Sequence, residues 1–165
     1  MGKILTFAGM LEGKEVTWFP SYGAEMRGGT ANCTVIISDE LIGSPVVTSP
    51  DMLIVMNEAS ADKFLPRLRP DGLFLFDSSL IKEPALRPDV ESIGVPAVEI
   101  ASRIGNTKSA NMVMLGAFIA KTGILKQGSV TEAIDSSMPD RKKKVTEVNR
   151  KAILEGVKSI ENKEG

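Results

Sequence analysis

The sequence contains no histidine and one cysteine, Cys33. The first absence excludes a Ser-His-Asp or Cys-His nucleophile, a histidine general base and every His-ligated zinc or iron site. The second excludes an intramolecular disulfide. It also leaves too few thiolates for an iron–sulfur cluster, which takes about four, or for a structural zinc site. Any redox chemistry that involves this protein must therefore place its electron carrier on another chain or on a bound organic cofactor, and no metal site is expected here. A solitary thiol fits a reducing compartment. Charge of one sign is lacking too: 20 Lys and Arg stand against 21 Asp and Glu, for a formal net charge of −1. Nothing in that balance calls for nucleic acid. Long apolar runs are absent as well. The longest stretch of the second half, residues 112–120, falls well short of the ~20 residues that span a bilayer, and no apolar run with a small-residue cleavage site follows Met1. A soluble, cytoplasmic protein with no membrane partner is expected.

What is present is a globular balance. The 165 residues are 42% hydrophobic and 25% charged, enough for one domain, 1–165, with a core of its own. Helical spacing of Ile4, Leu5, Ala8 and Leu11 predicts a helix over 3–11 with Gly13 as its stop. Residues 15–19 read as a strand closed by Pro20, and 30–38 as a second, rich in β-branched residues. Asp39-Glu40 reads as a turn and Val46-Val47 as a short edge strand. Residues 52–56 and 73–76 are apolar runs of the kind buried on both sheet faces, with a short helix over 58–65 between them, stopped by Pro66. A short strand is expected over 95–98, and helices over 109–121 (stopped by Gly123), 130–137 and 145–160, the C-terminal helices running from about 129 to 163. Buried strands that alternate with helices make an α/β domain. The paired early strands predict a mixed, largely parallel sheet.

The strongest local signal is the segment Ser21-Tyr22-Gly23-Ala24-Glu25-Met26-Arg27-Gly28-Gly29-Thr30. Gly28 and Gly29 permit positive φ and close approach of another group. Arg27 offers a planar donor fork suited to phosphate or carboxylate, and Glu25 could orient it. Two readings stay open from the residues alone: a loop that meets a ligand or partner, and a tight turn with a self-satisfied Glu25–Arg27 pair. At Asn106-Thr107-Lys108-Ser109-Ala110-Asn111-Met112, Thr107 or Ser109 can cap the helix that follows. Free N–H groups and Lys108 would favour an anion there. Plain capping is the favoured reading, with Asn111 as a hydrogen-bonded core amide and Met112 as a gap-filler. Asn57-Glu58 and Asp77-Ser78-Ser79 follow buried strands, where α/β sheets place ligands, but both also look like caps and turns. Cys33, with no histidine to activate it, reads as a packed strand residue. The run Arg141-Lys142-Lys143-Lys144 reads as a solvated helix entrance.

The stretch Val16-Thr17-Trp18-Phe19-Pro20-Ser21-Tyr22-Gly23-Ala24-Glu25-Met26-Arg27-Gly28-Gly29-Thr30-Ala31-Asn32-Cys33 resembles the signature of the gamma subunit of 2-oxoacid:ferredoxin oxidoreductases. So do Ile42-Gly43-Ser44-Pro45 and the entrance 106–116, and the likeness runs to about residue 125. Its wording is closer to 2-oxoglutarate-type than to pyruvate-type gamma subunits. The resemblance implies a three-layer α/β/α unit like domain III of pyruvate:ferredoxin oxidoreductase. It implies an enzyme that decarboxylates a 2-oxoacid to acyl-CoA, with coenzyme A as a substrate. Thiamine diphosphate with magnesium and [4Fe–4S] clusters would sit on the alpha, beta and ferredoxin-like delta partners, with electrons passing to ferredoxin, and this chain would hold none of these groups alone. Arg27, Gly28 and Gly29 would approach coenzyme A or the alpha-subunit surface, Glu25 would orient Arg27, Tyr22 would lie at the interface, and Asn106, Lys108 and Asn111 would line the same cleft. None of these is a catalytic residue.

Family members usually begin with a strand and a turn of the kind Gly-x-Gly-Gly-Gln-Gly ahead of the first helix, and this sequence has neither. A start assigned too late or a truncated chain is expected, with a gap or an exposed edge in the sheet, weaker coenzyme A binding by this chain, and pairing of the isolated chain with itself as an option. The competing reading is a stand-alone coenzyme A- or nucleotide-binding module. An NAD-dependent dehydrogenase is disfavoured, because no GxGxxG follows a strand.

Overall fold

A computed structural model describes residues 1–21, 30–137 and 143–164. Helix α1 (Gly2–Leu11) buries Ile4, Leu5 and Ala8 and ends before Gly13, whose φ of +73° takes the left-handed turn expected of it. It lies on an antiparallel pair, β1 (Glu15–Ser21) and β2 (Asn32–Ser38), in register from Glu15↔Ser38 to Ser21↔Asn32. The approach is close: a Cβ at Gly9 would stand 2.7 Å from Val16 Cγ1, and one at Gly2 2.6 Å from Cys33 Sγ. The Lys3 ammonium stands 4.9 Å from the centre of the Trp18 ring. Pro20 does not close β1 as the sequence suggested. It pairs with Cys33 inside the ribbon, where an edge strand tolerates a residue without an N–H.

Residues 39–51 contain no strand. The expected strand at Val46-Val47 does not form because its polar groups are otherwise engaged: the Val46 N–H donates to Ser44 Oγ. The Arg67 guanidinium donates to Val47 O at 3.1 Å and Thr48 O at 3.3 Å, and Ser49 Oγ donates to Arg67 O. An ion pair between Arg69 and Asp51 closes this connection.

Three parallel strands follow, β3 (Met52–Val55), β4 (Leu73–Asp77) and β5 (Glu91–Val95), in the order β3-β4-β5. Central β4 is buried through Leu73, Phe74 and Leu75. Its side chains alternate between two cores. Leu75, with Val95 and Ile93, faces the helices of the second half, while Phe74 packs with Val55, Ala61, Leu65 and Ile81 on the other side. Helix α2 (Glu58–Phe64) starts at Asn57, whose Oδ1 accepts the Ser60 N–H at 2.8 Å. Pro66 lies in a short 3-10 turn just beyond α2. Arg87 donates to Leu65 O and Leu68 O and pairs with Asp89, so the loop before β5 is pinned to that same turn. The hydrogen-bonded Arg87 holds the Asp89 carboxyl below its ordinary range.

The strand expected over 95–98 is displaced. β5 ends at Val95, and after Pro96 the chain enters helix α3 (Ala97–Arg103). The cause lies twenty residues upstream: Asp77 Oδ1 accepts the Ala97 N–H and Ser79 Oγ accepts the Glu99 N–H. Helices α4 (Ala110–Thr122), α5 (Gln127–Ser137) and α6 (Lys143–Glu164) complete the described chain. Helix α4 is buried from Met112 to Ile119 and stops at Gly123, φ +61°. It meets α6 backbone to backbone at Gly116 and Gly156.

The α/β class with a parallel sheet is the one the sequence implied. The mixed character, however, is divided between two sheets. The antiparallel pair and the parallel three share one core, against which Val35 and Ile37 of the first and Ile54 and Ile93 of the second both pack, but no ladder bond joins them among the described residues. At the β5 edge Lys163 Nζ donates to Gly94 O.

Candidate functional site

Of the residues expected in the site, Tyr22, Glu25, Arg27, Gly28 and Gly29 lie outside the described residues. The base of their loop is described. The Ser21↔Asn32 pair sets the hairpin stem, Asn32 Nδ2 donates to Thr30 O at 3.1 Å, and Lys63 Nζ donates to Thr30 Oγ1 at 2.8 Å. Thr30, two residues ahead of β2, is therefore tied to the end of α2. Cys33, on that stem, is an exposed residue, although its Sγ lies against α1 at Gly2. Its place opposite Pro20 near the end of a two-stranded ribbon leaves it without a covering neighbour strand.

The second expected group is gathered at the entrance to α4. The Gly105 backbone has a φ of +84°, which turns the chain out of α3. Asn106 then accepts the Lys108 N–H on Oδ1 at 3.2 Å and donates from Nδ2 to Ser109 Oγ at 3.1 Å. Ser109 Oγ donates in turn to Asn149 Oδ1 of α6, also at 3.1 Å. The capping side chain is therefore Asn106, rather than the Thr107 or Ser109 hydroxyl expected from the sequence, because Ser109 is engaged between two amides. Lys108 is exposed and Met112 is packed in the core. Asn111 is half-buried rather than fully internal, and its side chain makes no hydrogen bond among the described residues, so it is not the hydrogen-bonded core amide its position on α4 suggested. Asn149 was missed by the sequence reading. The signal was an amide on the buried stripe of α6, which runs through Ala152, Ile153 and Ile160. One residue on, Arg150 turns outward and forks onto Asp135 of α5, which raises the guanidinium further.

The polar groups after the parallel strands are structural. Asn57 is the α2 cap. Asp77 is wholly buried, its Oδ1 shared between the Ser79 and Ala97 N–H groups and its Oδ2 without a partner among the described residues. Of the basic run, Arg141 and Lys142 lie outside the described residues and Lys144 is exposed. A groove of about 240 Å³ between α4, α5 and α6 is lined by Ile119, Leu125, Val157 and Ile160, with Gln127 and Glu161 as its polar members. Among the described residues, no three His, Cys, Asp or Glu side chains are arranged to hold a metal ion, and no helix is long and apolar enough to cross a membrane.

Comparison with known proteins gives one family throughout. Residues 1–159 match the family described as Pyruvate ferredoxin/flavodoxin oxidoreductase. Ketoisovalerate oxidoreductase subunit VorA of Methanothermobacter thermautotrophicus is 39% identical over all of this chain but only 34% of its own length. The chain thus spans about a third of that relative. 2-Oxoglutarate synthase subunit KorC of Methanothermobacter marburgensis is 31% identical over 95% of this chain and 94% of its own. Among solved structures, the gamma subunit of a keto/oxoacid ferredoxin oxidoreductase from Geobacter sulfurreducens superposes with a TM-score of 0.80, at 30% identity over 96% of this chain and 88% of that one. The 2-oxoglutarate:ferredoxin oxidoreductase of Magnetococcus marinus, solved with 2-oxoglutarate, coenzyme A and succinyl-CoA bound, shares the fold. Its TM-score is 0.88 at 23% identity, over 98% of this chain and 28% of that one.

Proposed function

We propose a subunit role from one premise: the chain belongs to the pyruvate ferredoxin/flavodoxin oxidoreductase family. It acts as the gamma unit, residues 1–165, of a cytoplasmic 2-oxoacid:ferredoxin oxidoreductase. That enzyme decarboxylates a 2-oxoacid of the 2-oxoglutarate kind to the acyl-CoA and passes the electrons to ferredoxin. The observation that carries this reading is the end-to-end likeness to a gamma-sized relative, 94% of whose length is covered.

The chemistry of the chain agrees with a supporting role. One thiol and no imidazole do not fit a [4Fe–4S] cluster, so the clusters belong to a partner, as do thiamine diphosphate and magnesium, which supply the decarboxylation when bound to the alpha and beta chains. What this chain supplies is shape and donors. The hairpin stem and the Lys63–Thr30 bond hold the loop of Arg27, Gly28 and Gly29 against coenzyme A or the alpha surface, with Glu25 orienting Arg27 and Tyr22 at the interface. The α4 entrance supplies Asn106, Lys108 and Asn111 to the same ligand. These are positioning contacts, which act by fixing geometry and not by moving protons.

Calorimetric titration with coenzyme A tests the reading. Binding is expected to the complex with partner subunits and to be weak or absent for the isolated chain. In the complex, Arg27→Ala is expected to raise the KM for coenzyme A about tenfold or to weaken assembly, without moving the melting temperature of the chain itself. Tight binding by the isolated chain would instead favour a stand-alone module, and a large fall in melting temperature would make Arg27 structural.

A further inference from the structure

We draw no further inference here: the strongest candidate, the apolar stripe that Phe7, Met10 and Leu11 leave exposed along α1, carries nothing because nothing in the structure shows what covers it.

Discussion

Alanine at Gly156 or at Gly116 is expected to lower the melting temperature by about 6–12 °C, equivalent to a loss of about 3 kcal/mol in a chain of this size. The opposite would follow from helix propensity, which favours alanine over glycine inside a helix by about 1 kcal/mol. Packing decides the sign. A Cβ at Gly156 would stand 2.1 Å from Val113 O, and one at Gly116 2.1 Å from Ile153 O. In both cases the obstacle is the backbone of the facing helix, so no side chain can rotate away. The two helices would have to separate along a crossing that buries Val113, Met114, Leu115, Ala117, Ala152 and Ile153. The same separation would draw Asn149 off Ser109. Gly128 is the control: it lies in α5, a Cβ there meets nothing, and Gly128→Ala should hold or raise the melting temperature. Thermal melts followed by circular dichroism decide it. Neutral Gly156→Ala and Gly116→Ala variants would mean that α4 and α6 do not pack this closely.

Asp77 gives the second large effect. Asp77→Ala takes the acceptor from the Ser79 and Ala97 N–H groups, 3.0 and 3.1 Å from Oδ1. Both bonds are made by a wholly buried carboxyl. Leaving buried donors unsatisfied costs about 1–3 kcal/mol each, so a total of about 2–4 kcal/mol is expected once partial relaxation is allowed for. Asp77→Asn separates the two oxygens. It keeps an acceptor for both N–H groups and replaces Oδ2, which has no partner among the described residues, so it should cost less than about 1 kcal/mol. Urea denaturation of both variants measures the difference. An asparagine as harmful as the alanine would reveal a contact made by Oδ2.

Most of the layer structure could be read from the sequence because the signals were local. The apolar spacing of α1, the uninterrupted runs of β3 and β4, and Gly13 and Gly123 as stops all act within a few residues. What could not be read depended on distant partners. Helix α3 is short and has proline at its start, and Asp77 at the end of β4 and Ser79 in the turn after it supply its caps. Val46-Val47 has strand composition, but Arg67 takes the carbonyl of Val47 and that of Thr48 beside it. Pro20 looked like a terminator and is tolerated because β1 belongs to a two-stranded ribbon. The site divides in the same way. Asn106 and Lys108 stood out by adjacency, whereas Asn149 gained its meaning only when α6 was folded against α4. The wording of the hairpin loop carried the family itself, since that motif is long. The choice of oxoacid is not legible here: relatives named for ketoisovalerate and for 2-oxoglutarate both resemble this chain.

The most direct test of the central claim, that this chain completes an enzyme whose reactive centres belong to its partners, is reconstitution. Oxoacid- and coenzyme A-dependent reduction of ferredoxin would be measured for the chain alone, for the partner subunits alone, and for the mixture. No turnover by the chain alone is expected, and acyl-CoA formation should rise when the chain is added to its partners. Turnover of an oxoacid by the isolated chain, or full activity of the partners without it, would mean that the chain does not complete such an enzyme.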